Sequence, residues 1–415
     1  MRTLDRNIRL LGYVAIVRAT GVSLILPFVA LYLRNVVHLG FGEIGLLIAV
    51  LGIAPLLLVP FGGLFADRLG RRRLFLLSLF VEALSVAGTG AAMLFRSVPG
   101  VIGGALLVSL SGSLGGPALS AYVADLASGS SRTEGFTFLR IGWNVGFTIG
   151  VFSGGVLIGA LGFSRVGLAA GAVLFVSTAI LAALLEVSPY DRARERGSSE
   201  TASGPVRRPS FGWSLRLLAG DRAFLGLCAL VGVAELSVGQ WSSTFPLYVN
   251  SVLHIPYAIL GAGLALNGLL VVIAQSPTTR AAIGRRHTTL VEIGVLLYVV
   301  GFLLFGLVAP LPQVVVAGFF VAVFVLTMGE NVLSIPTSTL PSNLAPPTEI
   351  GAYNGTFFAL MGVGQILAPA LGGAVLSLGL APSITWALLM VPAVPAVVAS
   401  RLWLARKVPE RPNTA

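Results

Sequence analysis

The stretch that decides the fold is "LYLRNVVHLGFGEIGLLIAVLG" at positions 31–52, because a second copy, "LYVNSVLHIPYAILGAGLALNG", occurs at 247–268. Seven of the 22 aligned positions agree, including His38 with His254. The chain has only three histidines. Matching two of them is therefore harder to attribute to shared apolar composition than matching leucines.

Two further pairs of segments match, each two residues out of that register. "DRLGRRRL" (67–74) aligns with "AAIGRRHT" (281–288), and "GFTIGVFSGG" (146–155) aligns with "GQILAPALGG" (364–373). Parallel repeats in a membrane chain are typical of transporters whose substrate site lies between the two halves.

The composition is that of an integral membrane protein. The chain is 56% hydrophobic and 10% charged, with a mean hydropathy of +0.93. A bilayer core about 30 Å thick needs roughly 20 apolar residues per helix. Twelve such runs, spans 1 to 12, are predicted at 10–33, 43–65, 74–95, 99–123, 136–161, 166–187, 223–250, 257–279, 289–309, 313–336, 351–379 and 383–404.

The net charge of +11 follows membrane topology. Of 27 basic residues, only three lie in the loops that lead from an odd-numbered span to the next even-numbered span, namely Arg34, Arg96 and Arg165. Cytoplasmic loops carry the excess of arginine and lysine. We therefore expect a multi-pass protein of the plasma or inner membrane with both termini in the cytoplasm, and no nucleic-acid partner.

The longest polar break divides the spans six and six. We predict an N-terminal six-helix bundle at 1–187, a flexible cytoplasmic linker at 188–221 and a C-terminal six-helix bundle at 222–415. Within the linker, residues 211–218 form a possible amphipathic interfacial helix.

Several chemistries are excluded by what the chain lacks. The only lysine is Lys407, so no phosphate-binding loop of the Gly-rich lysine type exists. No His/Cys cluster has metal-ligand spacing. We predict no catalytic residues, no metal ligands and no cofactor. We expect an ion gradient, most simply of protons, to drive the protein's activity.

Ionisable residues inside spans cost about 3 kcal/mol each on insertion scales and are by default functional candidates. The candidates are Arg18, Glu82, Arg140, Glu235, Glu292 and Glu330.

Two spans carry polar stripes. On span 10, Thr327, Glu330, Asn331, Ser334 and Ser338 share one helical face, and on span 5 Thr137, Arg140, Asn144 and Thr148 do so. Glu330 is predicted to bind a coupling proton or a cationic part of the substrate, and the alternative is a role in helix packing. Arg140 and Asn144 face substrate, or Arg140 snorkels to the interface.

The connection after span 2, "GGLFADRLGRRRLF" (62–75), resembles the signature of the major facilitator superfamily between helices 2 and 3. The pattern is carried by Gly63, Asp67, Arg68, Gly70, Arg71 and Arg72. Span 1 and "GFTIGVFSGG" are similar to the drug–proton antiporter branch. The resemblance implies twelve transmembrane helices in two pseudo-symmetric six-helix bundles.

The resemblance also implies which residues matter. Helices 1, 4, 7 and 10 line the cavity in that superfamily, which favours Arg18, Glu235 and Glu330. In the repeat alignment Arg18 matches Ala234, the residue before Glu235. We therefore predict that Arg18 and Glu235 form a charge pair. The signature loop would latch the cytoplasmic side, with Asp67 against the start of span 11 and Asp125 as a partner for Arg71 or Arg72.

The function favoured by these observations is proton-coupled efflux of small amphipathic, drug-like molecules by a monomer that works by alternating access in the lipid bilayer. Two alternatives stay open. One is proton-coupled uptake of a sugar or organic anion, with Arg18 and Arg140 as anion contacts. The other is a lipid-handling or sensor membrane protein of the same fold.

Overall fold

The protein is all-helical. A computed structural model describes residues 5–127, 129–195, 220–346 and 349–401, and this part of the chain contains helices and no β-strand. Eleven spans are long and apolar enough to cross a membrane as single or joined helices. The twelfth is a helix pair, Pro382–Met390 and Ala393–Ala399, bent by 43°. The prediction of an all-α membrane protein is confirmed.

The helices follow the predicted spans with shifts of up to eight residues at their ends, the largest at the end of span 10 and the start of span 5. Spans 1 to 6 are Arg6–Ser23 with Val29–Asn35, Phe41–Leu69, Arg71–Leu94, Val98–Leu126, Gly129–Leu161 and Phe163–Leu184. Spans 7 to 11 are Arg222–Val238 with Thr244–Ser251, Tyr257–Ala282, His287–Val308, Val315–Leu344 and Ile350–Ser377.

The repeat is visible in local backbone geometry. Asp5 caps span 1 by accepting from the Asn7 amide at 2.7 Å, and Asp221 caps span 7 by accepting from the Phe224 amide at 2.9 Å. His38 and His254 both adopt left-handed backbone angles, with φ of 66° and 56°. Few non-glycine residues do so. The aligned histidines therefore mark the same turn in both copies.

Spans 1 and 7 are both interrupted at equivalent positions. A 3₁₀ turn at Leu26–Phe28 interrupts span 1, and one at Gly239–Trp241 interrupts span 7. Pro27 contributes to the first break because it has no amide hydrogen and its ring clashes with the preceding turn.

Contacts divide the described residues into two compact units. The first unit falls within Met1–His38, Val50–Gly204 and Pro256–Gly268, and the second within the remaining segments. The start of span 8 belongs to the first unit, where a Cβ added to Gly155 would lie 3.1 Å from the Gly261 Cα. The start of span 2 belongs to the second unit, where Gly373 meets Gly45 in the same way.

Within the first unit, span 5 packs on span 1 through glycines one turn apart. A Cβ added to any of these glycines would lie within 2.6 Å of a backbone carbonyl oxygen of span 1. Side-chain-free positions let two helix backbones approach this closely. We call this contact the glycine seam; its pairs are Gly142 with Gly12, Gly146 with Ile16, Gly150 with Thr20, and Gly154 with Leu24.

The first residues of the predicted linker are folded. Pro189–Glu195 is a helix, and Asp191 is only 5% exposed. The prediction of a flexible connection is wrong for this part, because Asp191 is held by amides of span 3. The predicted helix at 211–218 lies outside the described residues.

Candidate functional site

The second unit contains a cavity of about 310 Å³ between spans 7, 9, 10 and 11. Among the described residues that line it, two are carboxylates, Glu235 and Glu330, and none is basic. The full lining is Glu235, Val238, Gly239, Trp241, Ser242, Tyr298, Glu330, Leu333, Ser334, Thr337, Met361 and Gln365. The sequence predicted both carboxylates, and the structure brings them to one cavity.

Glu235 is the more deeply buried of the two carboxylates. It is 4% exposed, and its Oε2 accepts a hydrogen bond from Nε2 of Gln365 at 3.2 Å. Within the described chain, Glu235 forms no ion pair. A proton or an organic cation is the kind of ligand that a cavity lined by carboxylates would bind.

The polar stripe of span 10 is only partly directed at the cavity. Glu330 and Ser334 line it, together with Thr337. Asn331 is 1% exposed and its Nδ2 donates to the Leu270 carbonyl of span 8 at 3.4 Å. The cavity lining therefore includes Glu330 but not Asn331, because the stripe is wider than the face that the cavity exposes.

The first unit contains a buried ion pair. The Arg18 guanidinium donates from Nε to Oε2 of Glu82 at 2.5 Å and from Nη2 to Oε1 at 2.9 Å. The two side chains are 17% and 4% exposed. The guanidinium also lies 5.4 Å from the ring centroid of Trp143. Such a bidentate geometry is the strong form of an arginine–carboxylate contact.

The predicted Arg18–Glu235 pair would join the two units and stays a prediction. Arg18 is bound by Glu82 inside its own unit, and Glu235 accepts from Gln365. Glu82 lies on span 3, which is not one of the four helices that the resemblance places around the cavity, yet its carboxylate binds Arg18 of span 1.

The remaining ionisable candidates differ in environment. Arg140 is exposed and Asn144 is half-buried, with the Asn144 carbonyl accepting from Oγ1 of Thr148 at 2.9 Å. Their assignment to substrate binding stays a prediction. Glu292 accepts from Nε of Arg401 at 3.0 Å, and the Arg401 side chain is 64% exposed.

A family model described as Major Facilitator Superfamily matches residues 11–309, about three quarters of the chain. The chain belongs to this superfamily. It is a transporter rather than an enzyme.

Relatives in the superfamily include drug-resistance proteins, in agreement with the predicted resemblance to the drug–proton antiporter branch. Multidrug resistance protein 2 of Bacillus subtilis (strain 168) is 23% identical over 367 residues, covering 87% of this chain and 86% of the relative. The class C tetracycline resistance protein of Escherichia coli is 27% identical over 298 residues, covering 69% of each protein.

Solved structures of the superfamily share the fold. A POT family transporter crystallised with 5-aminolevulinic acid superimposes with a TM-score of 0.77 at 15% identity, covering 97% of both chains. The nucleoside transporter NupG gives a TM-score of 0.73 at 14% identity, covering 97% of this chain and 100% of NupG. The twelve-helix fold predicted from the sequence is confirmed.

The superfamily's signature loop turns sharply at Gly70, whose φ of 95° lies in the left-handed region that favours glycine. Arg71 forms an ion pair with Asp125 of span 4, and its Nη2 lies 3.7 Å from Oδ1 of Asp67. Arg72 donates to the carbonyls of Leu185 and Ala182 at the end of span 6. The loop thus ties spans 2, 3, 4 and 6 together within the first unit.

The remaining signature positions are Gly63 and Arg68. Arg68 lines a cavity of about 430 Å³ with Arg72 and Arg73. A Cβ added to Gly63 would meet nothing within 4 Å. The predicted contact of Asp67 with the start of span 11 stays a prediction.

Asp191 was missed in the sequence because it lies in a segment whose composition resembles a linker. Its Oδ1 and Oδ2 accept from the backbone amides of Arg71 and Arg72, each at 3.0 Å. These are two of the amides that a helix N-terminus leaves without intrahelical partners. The neighbouring Tyr190 ring lies 3.9 Å from the Arg71 guanidinium carbon.

Gln365 was also missed, although the comparison of the two repeats contains a signal for it. It is the polar residue of "GQILAPALGG", and the aligned residue in the first half is Phe147.

Proposed function

We propose that the protein is a proton-coupled exporter of small amphipathic, drug-like molecules, working as a monomer by alternating access. The observation that supports this most is the cavity of the second unit, where Glu235 and Glu330 occur without a basic residue among the described lining. Protons are the proposed coupling ion, with no other cofactor. A cation or a proton can occupy such a site in exchange, which is the minimal requirement of an antiporter.

Aromatic groups in the same cavity fit an amphipathic cation. Trp241 and Tyr298 both contribute to the lining, and an aromatic face attracts a cation within about 6 Å. The drug-resistance relatives support export of compounds of this class. Uptake of an organic anion is less well supported, because the Arg18 guanidinium is already bound by Glu82.

The proposed setting is the plasma or inner membrane, with both termini in the cytoplasm, small-molecule substrates and surrounding lipid as partners, and no nucleic acid. The arginine distribution supports this orientation.

The test is transport of ethidium, a planar aromatic cation, into proteoliposomes with imposed pH gradients of either sign. Accumulation driven by an acidic interior supports proton antiport, in whichever orientation the protein inserts. Accumulation driven by an acidic exterior would identify a symporter, and accumulation unaffected by either gradient would refute proton coupling.

The roles of the two carboxylates are tested by Glu235→Gln and Glu330→Gln. Each substitution removes a titratable carboxyl and keeps the shape of the side chain. We expect gradient-driven accumulation to fall at least tenfold in both. Glu292→Gln is the matched control, since Glu292 is held by the exposed Arg401, and should transport normally. If both cavity variants keep wild-type pH dependence, the coupling role is wrong.

A further inference from the structure

We propose that Gln365 is a positioning residue that holds the Glu235 carboxylate and, through this hydrogen bond, controls how Glu235 exchanges a proton. This inference rests on the proposed role of Glu235, but it concerns a residue outside the predicted set. Gln365 belongs to span 11, so its contact makes the state of Glu235 depend on the packing of span 11 against span 7.

The hydrogen bond has the direction needed for this effect. The Gln365 side chain donates from Nε2 to Oε2 of Glu235 at 3.2 Å, and a donor to the charged form of a carboxyl favours that form. The other titratable groups that line the cavity beside Glu235 are Glu330 of span 10 and Tyr298 of span 9, which is 3% exposed. Helix Ala393–Ala399 of span 12, which also packs on span 7, has no titratable residue.

A close backbone contact places Gln365 beside Glu235. A Cβ added to Gly364 would clash with the Gly232 carbonyl oxygen and lie 2.7 Å from the Glu235 Cβ. Glycine at position 364 therefore lets span 11 approach span 7 at the turn that carries Glu235. The adjacent glutamine then reaches the carboxylate.

The first half shows that this helix contact does not need the polar pair. Gly146 meets the Ile16 carbonyl at the position equivalent to Gly364 and Gly232. A Cβ added to Gly146 would lie 2.8 Å from the Ala19 Cβ, so Ala19 occupies the place of Glu235, and Phe147, the residue after Gly146, occupies that of Gln365. The first half makes the equivalent contact with apolar residues, so packing alone does not explain why the second half carries a glutamine facing a carboxylate.

The test measures protonation of Glu235 directly, independently of transport. Dicyclohexylcarbodiimide reacts with protonated carboxyls in apolar sites, and mass spectrometry of the labelled protein gives the pH at which Glu235 is half-labelled. The variant is Gln365→Met, which keeps side-chain length and removes the donor. Hydrogen bonds to charged groups are strong enough that we expect the labelling midpoint to move by about one pH unit.

The matched control is Gln275→Met. Gln275 Nε2 donates to Oγ of Ser334, another cavity residue, at 3.2 Å, and its replacement should leave the Glu235 midpoint unchanged. Labelling in native membranes, together with a second variant, Gln365→Leu, guards against loss of the protein on purification. An unchanged midpoint in both Gln365 variants would overturn the inference.

Failure of the proposed function gives a different result. If the labelling midpoint moves in Gln365→Met while the pH dependence of ethidium transport does not, Gln365 positions Glu235 as inferred, but Glu235 is not the coupling residue.

Discussion

Removing the positive charge of Arg18 should destabilise the first unit strongly. In Arg18→Gln, the Glu82 carboxylate, whose side chain is 4% exposed, loses both hydrogen bonds of its bidentate partner. Breaking a buried ion pair from one side costs about 3–5 kcal/mol, because an uncompensated charge stays buried. For a unit of roughly 200 residues, each kcal/mol lowers the melting temperature by about 2–4 °C. The expected loss is therefore at least about 6 °C.

The assay is thermal unfolding of the purified protein in one detergent at pH 7.5, followed by tryptophan fluorescence. Glu82→Gln should cost a similar amount. The double variant Arg18→Gln/Glu82→Gln should be more stable than either single variant, since no charge is left unpaired. Glu292→Gln, whose partner Arg401 is largely exposed, should change the melting temperature little. Losses that simply add in the double variant would refute the pairing, as would single variants within about 2 °C of wild type.

Two further predictions concern packing and capping. Gly150→Ala places a Cβ 2.5 Å from the Thr20 carbonyl oxygen, and this overpacking should lower the free energy of unfolding by about 1–3 kcal/mol. The control is Gly159→Ala on the same helix, where the added Cβ meets nothing within 4 Å. Equal melting temperatures for the two variants would argue against the glycine seam. Asp191→Ala leaves the amides of Arg71 and Arg72 without their acceptor and should cost about 1–3 kcal/mol. Glu186→Ala, which removes only exposed ion pairs, serves as its control, and equal unfolding curves for these two variants would contradict the capping role.

The fold was predictable because its signals are collective. Each span is a run of some twenty apolar residues, so single errors shift an end without removing a helix. The repeat was predictable for a related reason: His38 and His254 are rare residue types at one turn, and the turn imposes the same backbone angle on both.

The site was predictable only in part. Glu235 and Glu330 stand out as charges in apolar helices, whereas repeat symmetry suggested Glu235 as the partner of Arg18, which is bound by Glu82. The partner of Arg18 depended on which face of span 3 meets span 1. A signal for that rotation exists in the sequence, because polar residues follow one face of span 3 at helical spacing: Ser78, Glu82, Ser85 and Thr89. Gln365 and Asp191 act through hydrogen bonds to single atoms, which leave no periodic pattern.

The glycine seam distinguishes two properties of a transmembrane helix: its insertion into the bilayer and its packing against other helices. Replacing Gly146 or Gly150 by leucine would raise the hydropathy of span 5, so the variant chain would be expected to insert into the bilayer at least as well as the original. The same change would push apart two helix backbones that meet at carbonyl oxygens. In this protein, the ability to enter the membrane and the ability to assemble inside it are therefore encoded at different positions of the same helix.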